Sequence, residues 1–393
     1  MLPLVSLLPI VDSQQRIVGI TPHFEKQSEE LVLQFLSYMQ EKEVLAQWPS
    51  ILCFLPFQHI DQVPINLSER FGAKQLVLCI AESACADKES HVKLKHFAGQ
   101  GFRIMMDDFS SRSLLLWPDT KGFAIDCEKG VPGFALPWMF SLQNNQHWAK
   151  HVTSNAQLQS VTEAGFSLIS GEFAFHPENK STSEDSSSRT RLLKLLGLVA
   201  RDADVSELEA LFKQDSSLSY MLFKLVSAAA FAQTTKISNF GQAINLLGRR
   251  QLQRWLQLLL YSSQQGTRTA LNPLMLRAAF RAAMMEGLAI RRGANKDEQD
   301  SAFMVGMFSL LNLLFGADLK EILQPLILED DVQLALLERK GRLGAELNLV
   351  ELSDVSYCDQ LISKLDKAQV DVDAYYGLLV QAYAWVNKVS LEV

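Results

Sequence analysis

Apolar and polar positions alternate in two different ways along these 393 residues. Up to about residue 177, short apolar runs at 51–55, 76–80, 103–106 and 123–126 read as strands. Helical patterns fall between them, at 29–40 with apolar residues at 31, 32, 33, 35, 36 and 39, and at 91–97. That alternation predicts parallel strands in an α/β sheet or barrel. Later in the chain the spacing is helical throughout, as in Leu192, Leu193, Leu195, Leu196 and Val199, and again in Leu218, Met221, Leu222, Leu225 and Val226. Asp204 followed by Glu207 predicts a capped helix start. Pro273 opens another helix, and the last runs from about 372 to 389. Between the two regimes, residues 178–190 hold no large apolar side chain and are rich in Ser, which predicts a linker. The chain therefore divides into an α/β domain over 1–177, a linker over 178–190 and an all-α domain over 191–393.

Composition adds bounds to this picture. A hydrophobic content of 48% and a charged content of 21% suit a globular protein with a sizeable core. No apolar run approaches the roughly 18 uncharged residues of a membrane helix, and the N-terminus lacks a basic leader, so a cytoplasmic location is expected. Five cysteines, Cys53, Cys79, Cys85, Cys127 and Cys358, are odd in number and lack zinc-site pairing, which suits buried reduced thiols. Residues 1–190 hold 15 Lys/Arg against 21 Asp/Glu, and residues 191–393 hold 22 against 23. Neither half advertises a polyanion ligand, and nucleic acid is not an expected partner.

The candidate chemistry is concentrated at Asp107 and Asp108. They end the apolar run at 102–106, and in α/β barrels the strand C-termini carry the functional groups. A pair of carboxylates there is a metal-site hypothesis, because hard divalent ions take oxygen ligands. One pair is not a full site, and a solvated strand end is the plainer reading. All seven histidines (23, 59, 91, 96, 147, 151 and 176) precede the linker. His147 and His151 are four apart, a helix-face step, but no third ligand lies near. The absence of histidine after residue 177 removes a His/Asp metal site from the second domain. Residues 249–292 hold eight arginines and one acid, Glu286. Arg250 and Arg254, and likewise Arg277 and Arg281, can each share a helix face and present it to an anion or a partner; pairing with acids such as Glu329, Asp330 and Asp331 would consume them. The small residues Ala228, Ala229 and Ala230 with Phe231, and the methionines Met284, Met285, Met304 and Met307, suggest an adaptable groove beside the commoner reading as core.

The residues resemble bacterial signalling proteins that join an EAL domain to an HDOD domain. In the first half, residues 8–12 with 16–19, then Met106-Asp107-Asp108-Phe109-Ser110, and then 164–177, are similar to EAL segments. In the second half, residues 215–218, 228–231, 236–238 and 243–255 look like the HDOD signature, with 306–311 and 341–344 typical of the form fused to EAL domains. The resemblance implies a TIM-barrel-like EAL domain, eroded, followed by an all-helical HD-like bundle. It also implies a carboxylate-bound metal site for hydrolysing cyclic di-GMP, of which Glu82, Asp107, Asp108 and Asp126 remain. The other family positions fall on Leu8, Thr21, Phe54, Cys79, Ala124, Lys150, Thr153 and Ser170, and the chain looks shorter than a full barrel.

On this basis we expect no metal, no cofactor and no enzymatic activity. The expected function is signal transduction through contacts with other signalling proteins, within cyclic di-GMP or sensor-kinase regulation. Cyclic di-GMP itself is not an expected partner, although a sensor that binds it is the alternative. A homodimer is left open.

Overall fold

The computed structural model describes residues 5–24, 28–85, 88–112, 119–177, 183–215, 218–223, 226, 239–261, 272–326, 328–354 and 360–392. Most of the HDOD-like segments over 215–238, including Ala228–Phe231, lie outside the described residues.

Eight strands form one sheet in the order β5-β4-β3-β2-β1-β8-β7-β6. They are β1 (Val5–Val11), β2 (Ile17–Phe24), β3 (Leu52–Phe57), β4 (Leu76–Ala81), β5 (Arg103–Asp107), β6 (Ala124–Asp126), β7 (Trp148–Val152) and β8 (Leu168–Gly171). β1 runs antiparallel to both β2 and β8, and the other strand pairs are parallel. The two ends of the sheet meet. Met106 bridges Phe123, Lys121 N donates to Ile104 O at 2.7 Å, and Phe109 N donates to Ala124 O at 3.0 Å. The sheet is therefore a nearly closed barrel, which abolishes exposed strand edges. Although the chain looks shorter than a full barrel, all eight strands are present, the shortest, β6, falling within the apolar run at 123–126.

The barrel interior is a compact apolar plug. Ile10, Phe54, Val77, Cys79, Met105, Ala124, Trp148 and Leu168 pack together inside it. Helices cover the outside. Glu29–Glu41 starts at Ser28, whose side chain accepts from Leu31 N at 3.2 Å, satisfying one orphan donor of the first turn.

The second half is helical, with Pro273–Arg291, Lys296–Phe308, Gly341–Leu352 and Val372–Glu392 among its longer elements. Asn272 caps the helix that Pro273 opens, accepting from Leu274 N at 3.0 Å. Asp204 does precede the helix Val205–Phe212, but its side chain makes no capping bond; Glu207 pairs with Arg201 at 2.7 Å instead.

Two expectations about organisation change here. The Ser-rich stretch is in its second part the opening of the helix Ser183–Ala200, and Ser188 is buried and donates to Asp215 at 3.2 Å. Serine is neutral in a helix when its hydroxyl finds a partner, so composition alone misleads. The two halves also share one core, which runs from the outer faces of the strands into the helices. The helix Val372–Glu392 reaches back to β1, with Tyr383 Oη donating to Leu7 O at 2.7 Å and Tyr376 Oη to Val5 O at 2.9 Å. Trp48 Nε1 donates to Val380 O at 3.0 Å across the same seam.

Candidate functional site at the mouth of the barrel

The parallel strands end at a common mouth, where a cavity of about 660 Å³ opens. That size is within the range of small-molecule sites. Trp148 of the plug lines it, packed 5.5 Å from Phe54, and Trp148 Nε1 donates to Ser170 Oγ at 2.9 Å. Phe54 fits because Gly19 has no side chain; a Cβ there would meet Phe54 Cε2 at 2.5 Å.

Three charged groups also line the mouth. Asp107, buried at the end of β5, accepts from Lys150 Nζ at 2.8 Å and from Asp108 N at 2.8 Å on the same oxygen, Oδ1. Lys150 Nζ also donates to Asp108 Oδ1 at 2.9 Å. Lys150 projects from β7, two strands from β5, and its side chain is only 15% exposed. Burial alone would lower its ammonium; the adjacent charges of Asp107 and Asp108 and the hydrogen bonds to them reverse this and raise it. The backbone beside this triad is unusual. Asp108 has φ 48° and His151 has φ 55°, the left-handed region, which costs energy for residues with a side chain. Such backbone strain clusters at working sites.

The other predicted acids divide. Asp126 lines the mouth and lies 3.3 Å from His151 Nδ1. Burial favours protonated Asp126, but the Glu128 amide and His151 outweigh it and hold its carboxyl below the usual range. His23 also lines the mouth; burial, then the neighbouring His151 and Lys150, hold its imidazole below the ordinary value. Glu82 serves the scaffold, accepting from Ser110 N at 2.7 Å and Ser110 Oγ at 2.8 Å and so fixing the turn after β5. His147 and His151 do not share a helix face. His151 lies in β7, and His147, just before that strand, is buried and stacked on Phe123 with centroids 5.6 Å apart.

The arginine pairs are consumed by ion pairs rather than presented as a face. Arg250 pairs with Asp300 at 2.6 Å, and Arg254 pairs with Glu286 at 2.5 Å and Asp300 at 2.9 Å. Arg281 pairs with Asp354 at 2.7 Å and Glu351 at 3.3 Å. Arg277 is different, because it reaches the mouth. It donates to Gly171 O at 3.2 Å, lies 3.7 Å from Asp354, and shares the ring of Phe175 with Arg281 at 5.4 and 5.8 Å. Arg277 and Asp354 therefore make the mouth a joint product of barrel and helices. Sequence reasoning missed Asp354 and Trp148 altogether, and saw Lys150 only as a departure from the EAL pattern. No local signal joins Lys150 to acids more than 40 positions away.

A divalent metal fits this set poorly. Where the resemblance would place two metals, Thr21 offers one hydroxyl, Phe54 a ring, and Cys79 a buried thiol. Burial, and then Asp107, hold that thiol well above the usual range. The ammonium of Lys150 already bridges the two carboxylates. Among the described residues no group of three or more His, Cys, Asp or Glu is arranged to hold a metal ion.

Comparison with known proteins puts names beside this geometry. Residues 186–324 match the HDOD domain family, so the helical half carries an HDOD domain. The cyclic di-GMP phosphodiesterase CdgJ of Vibrio cholerae is 25% identical over 86% of this chain and 79% of its own length. The uncharacterized protein YuxH of Bacillus subtilis is 24% identical over 85% and 83%. Among solved structures, PaMucR phosphodiesterase in complex with c-di-GMP covers 44% of this chain and 96% of its own, at 15% identity and a TM-score of 0.33. The EAL domain of Mycobacterium smegmatis DcpA covers 43% and 88%, at 16% and 0.36. The helical half thus carries an HDOD domain, and the chain is similar along most of its length to a protein named as a cyclic di-GMP phosphodiesterase. The CdgJ match overturns the expectation of a non-enzyme, since a relative aligned along most of the chain is named as a phosphodiesterase. Among the described residues, no helix is long and apolar enough to cross a membrane.

Proposed function

We propose that this chain is a signalling protein of cyclic di-GMP regulation in which the barrel mouth is the input and the helical half engages partner proteins. The observation that carries the proposal is the composition of the mouth. Its lining includes Arg277 and Asp354 from the helical half beside Asp107, Asp108 and Lys150 from the barrel. A ligand that fills the mouth would touch both halves, so its binding energy can bias the helical surface that a partner meets. The name of the Vibrio relative supports the dinucleotide as that ligand.

Turnover of the dinucleotide is a second reading, favoured by the same name. It requires the carboxylates of Asp107 and Asp108 to be released from Lys150, because two-metal chemistry needs their oxygens. One experiment addresses both readings: calorimetric titration of the full chain with cyclic di-GMP, with and without Mn²⁺, with chromatography of the mixture afterwards. The proposal expects saturable heat. Linear dinucleotide that disappears in Asp107→Ala would establish turnover, and no heat under either condition would contradict the dinucleotide as ligand. Affinity capture of host proteins by the full chain, compared with Arg277→Ala, tests the output.

A further inference from the structure

The residues of the mouth fit a metal poorly, yet they include two imidazoles, His23 and His151. Each reaches the cavity in its own way. On β2 Gly19 faces the plug, where a Cβ would strike Phe54, and the strand period of two carries Thr21 and His23 along that face to the rim. On β7 the same period would turn His151 away, because Lys150 before it already points at Asp107. The left-handed backbone of His151, φ 55°, breaks the alternation, and both side chains line the cavity. A costly conformation that delivers a side chain to a cavity marks that residue for chemistry. Asp126 pairs with Lys150 in the strand register, lies 3.3 Å from His151 Nδ1, and leaves the opposite nitrogen, Nε2, to exchange a proton. His23 stands close enough to feel the charges of His151 and Lys150, so the three groups are neighbours.

We propose that His23 and His151 are a base and acid pair that cleaves a ribonucleotide 3′,5′-phosphodiester without a metal, an inference that rests on the dinucleotide reading of the mouth. The nucleophile is the ribose 2′-hydroxyl beside the phosphate, so no water is consumed. His23 takes the 2′-hydroxyl proton as O2′ forms its bond to phosphorus. The P–O5′ bond breaks, its electron pair stays on O5′, and O5′ takes a proton from the His151 imidazolium that Asp126 orients. The products are a 2′,3′-cyclic phosphate and a 5′-hydroxyl, and solvent then returns the two imidazoles to their starting protonation. Lys150 and Arg277, which also line the cavity, oppose the negative charge that builds on the phosphoryl oxygens. Asp126 is a positioning residue in this scheme, acting only through His151.

The test incubates the full chain with cyclic di-GMP in excess EDTA, with calorimetry for binding and chromatography with mass spectrometry for products. The expected product is a linear dinucleotide of unchanged mass ending in a 2′,3′-cyclic phosphate; metal-driven hydrolysis would instead add a water and leave a 5′-phosphate. The 2′-deoxy analogue of cyclic di-GMP is expected to bind and stay intact. His23→Gln and His151→Gln, both at exposed positions, are each expected to slow product formation by at least about a hundredfold. Asp126→Asn is expected to slow it with the heat of binding unchanged. Binding heat without product in EDTA overturns the inference and leaves the dinucleotide reading standing, whereas no heat overturns that reading and this inference with it. Product formed at the wild-type rate by either histidine variant overturns the inference as well. So does cleavage of the 2′-deoxy analogue by the wild type, a result that depends on no variant folding.

Discussion

Asp107 and Asp108 are neighbours in sequence with unequal surroundings, and they should respond unequally to change. The Asp107 side chain is 6% exposed and accepts two donors on one oxygen, while the Asp108 side chain is 54% exposed. Removing one member of a buried pair leaves an unmet charge, at a cost of about 3 kcal/mol, whereas an exposed pair contributes about 1 kcal/mol or less. Asp107→Ala should thus lower stability by about 3 kcal/mol and Asp108→Ala by under about 1 kcal/mol; urea unfolding measures both. Gly171 offers a second residue-scale test. Its φ is 147°, and a Cβ would meet Val152 O at 2.1 Å. Gly171→Ala is expected to cost on the order of 3 kcal/mol, because both the strain and the clash fall on backbone. Asp215 supplies the pH dependence. Burial would raise its carboxyl, but the Leu218 amide and Arg191 outweigh this and hold it below the usual range. A depressed folded value means its stabilisation is complete above the ordinary Asp value of about 3.9 and is lost as pH falls through the lower folded value. Asp215→Asn should therefore be less stable than wild type at neutral pH, with the gap closing in acid. A gap that is constant with pH would contradict the assignment.

At the scale of elements, what could be read from the chain was whatever depends on local pattern. The strands at 76–81 and 103–107 and the helices at 29–41 and 372–392 follow from apolar spacing, and Pro273 marks its helix start. Misreadings fall where tertiary partners override composition. Ser188 looks like linker until Asp215 is placed beside it. The site was half legible for the same reason. Asp107 and Asp108 announce themselves as adjacent charges at a strand end, while their partner Lys150 comes from β7. The arginine pairs each lie on one helix, but Asp300, Glu286, Glu351 and Asp354 lie at positions that only folding brings near them. The helix Val372–Glu392 carries a prediction of its own. Tyr383 donates to Leu7 O and Tyr376 to Val5 O, both buried. Losing one such hydroxyl leaves a buried acceptor short of a donor, so Tyr383→Phe should cost about 1–2 kcal/mol. Thermal unfolding followed at Trp48, whose indole bonds to Val380 O, reports on that seam.

At the scale of the whole molecule, one core joins strands and helices, and one mouth is lined by both. Such a molecule is expected to unfold in a single transition, and separate barrel and helical transitions would contradict the shared core. On the proposed function, the same continuity would carry the effect of a ligand at the mouth into the helical half: Arg277 contacts Gly171 of β8 and lies in the helix Pro273–Arg291, while Asp354 lies two residues past the helix Gly341–Leu352. The measurement that bears most directly on this is hydrogen–deuterium exchange of the full chain with and without cyclic di-GMP and Mn²⁺. Slowed exchange is predicted at the strand ends around Asp107 and Lys150 and also in the helices Pro273–Arg291 and Gly341–Leu352. Slowing confined to the barrel, or no change anywhere, would contradict an input at the mouth read by the helical half.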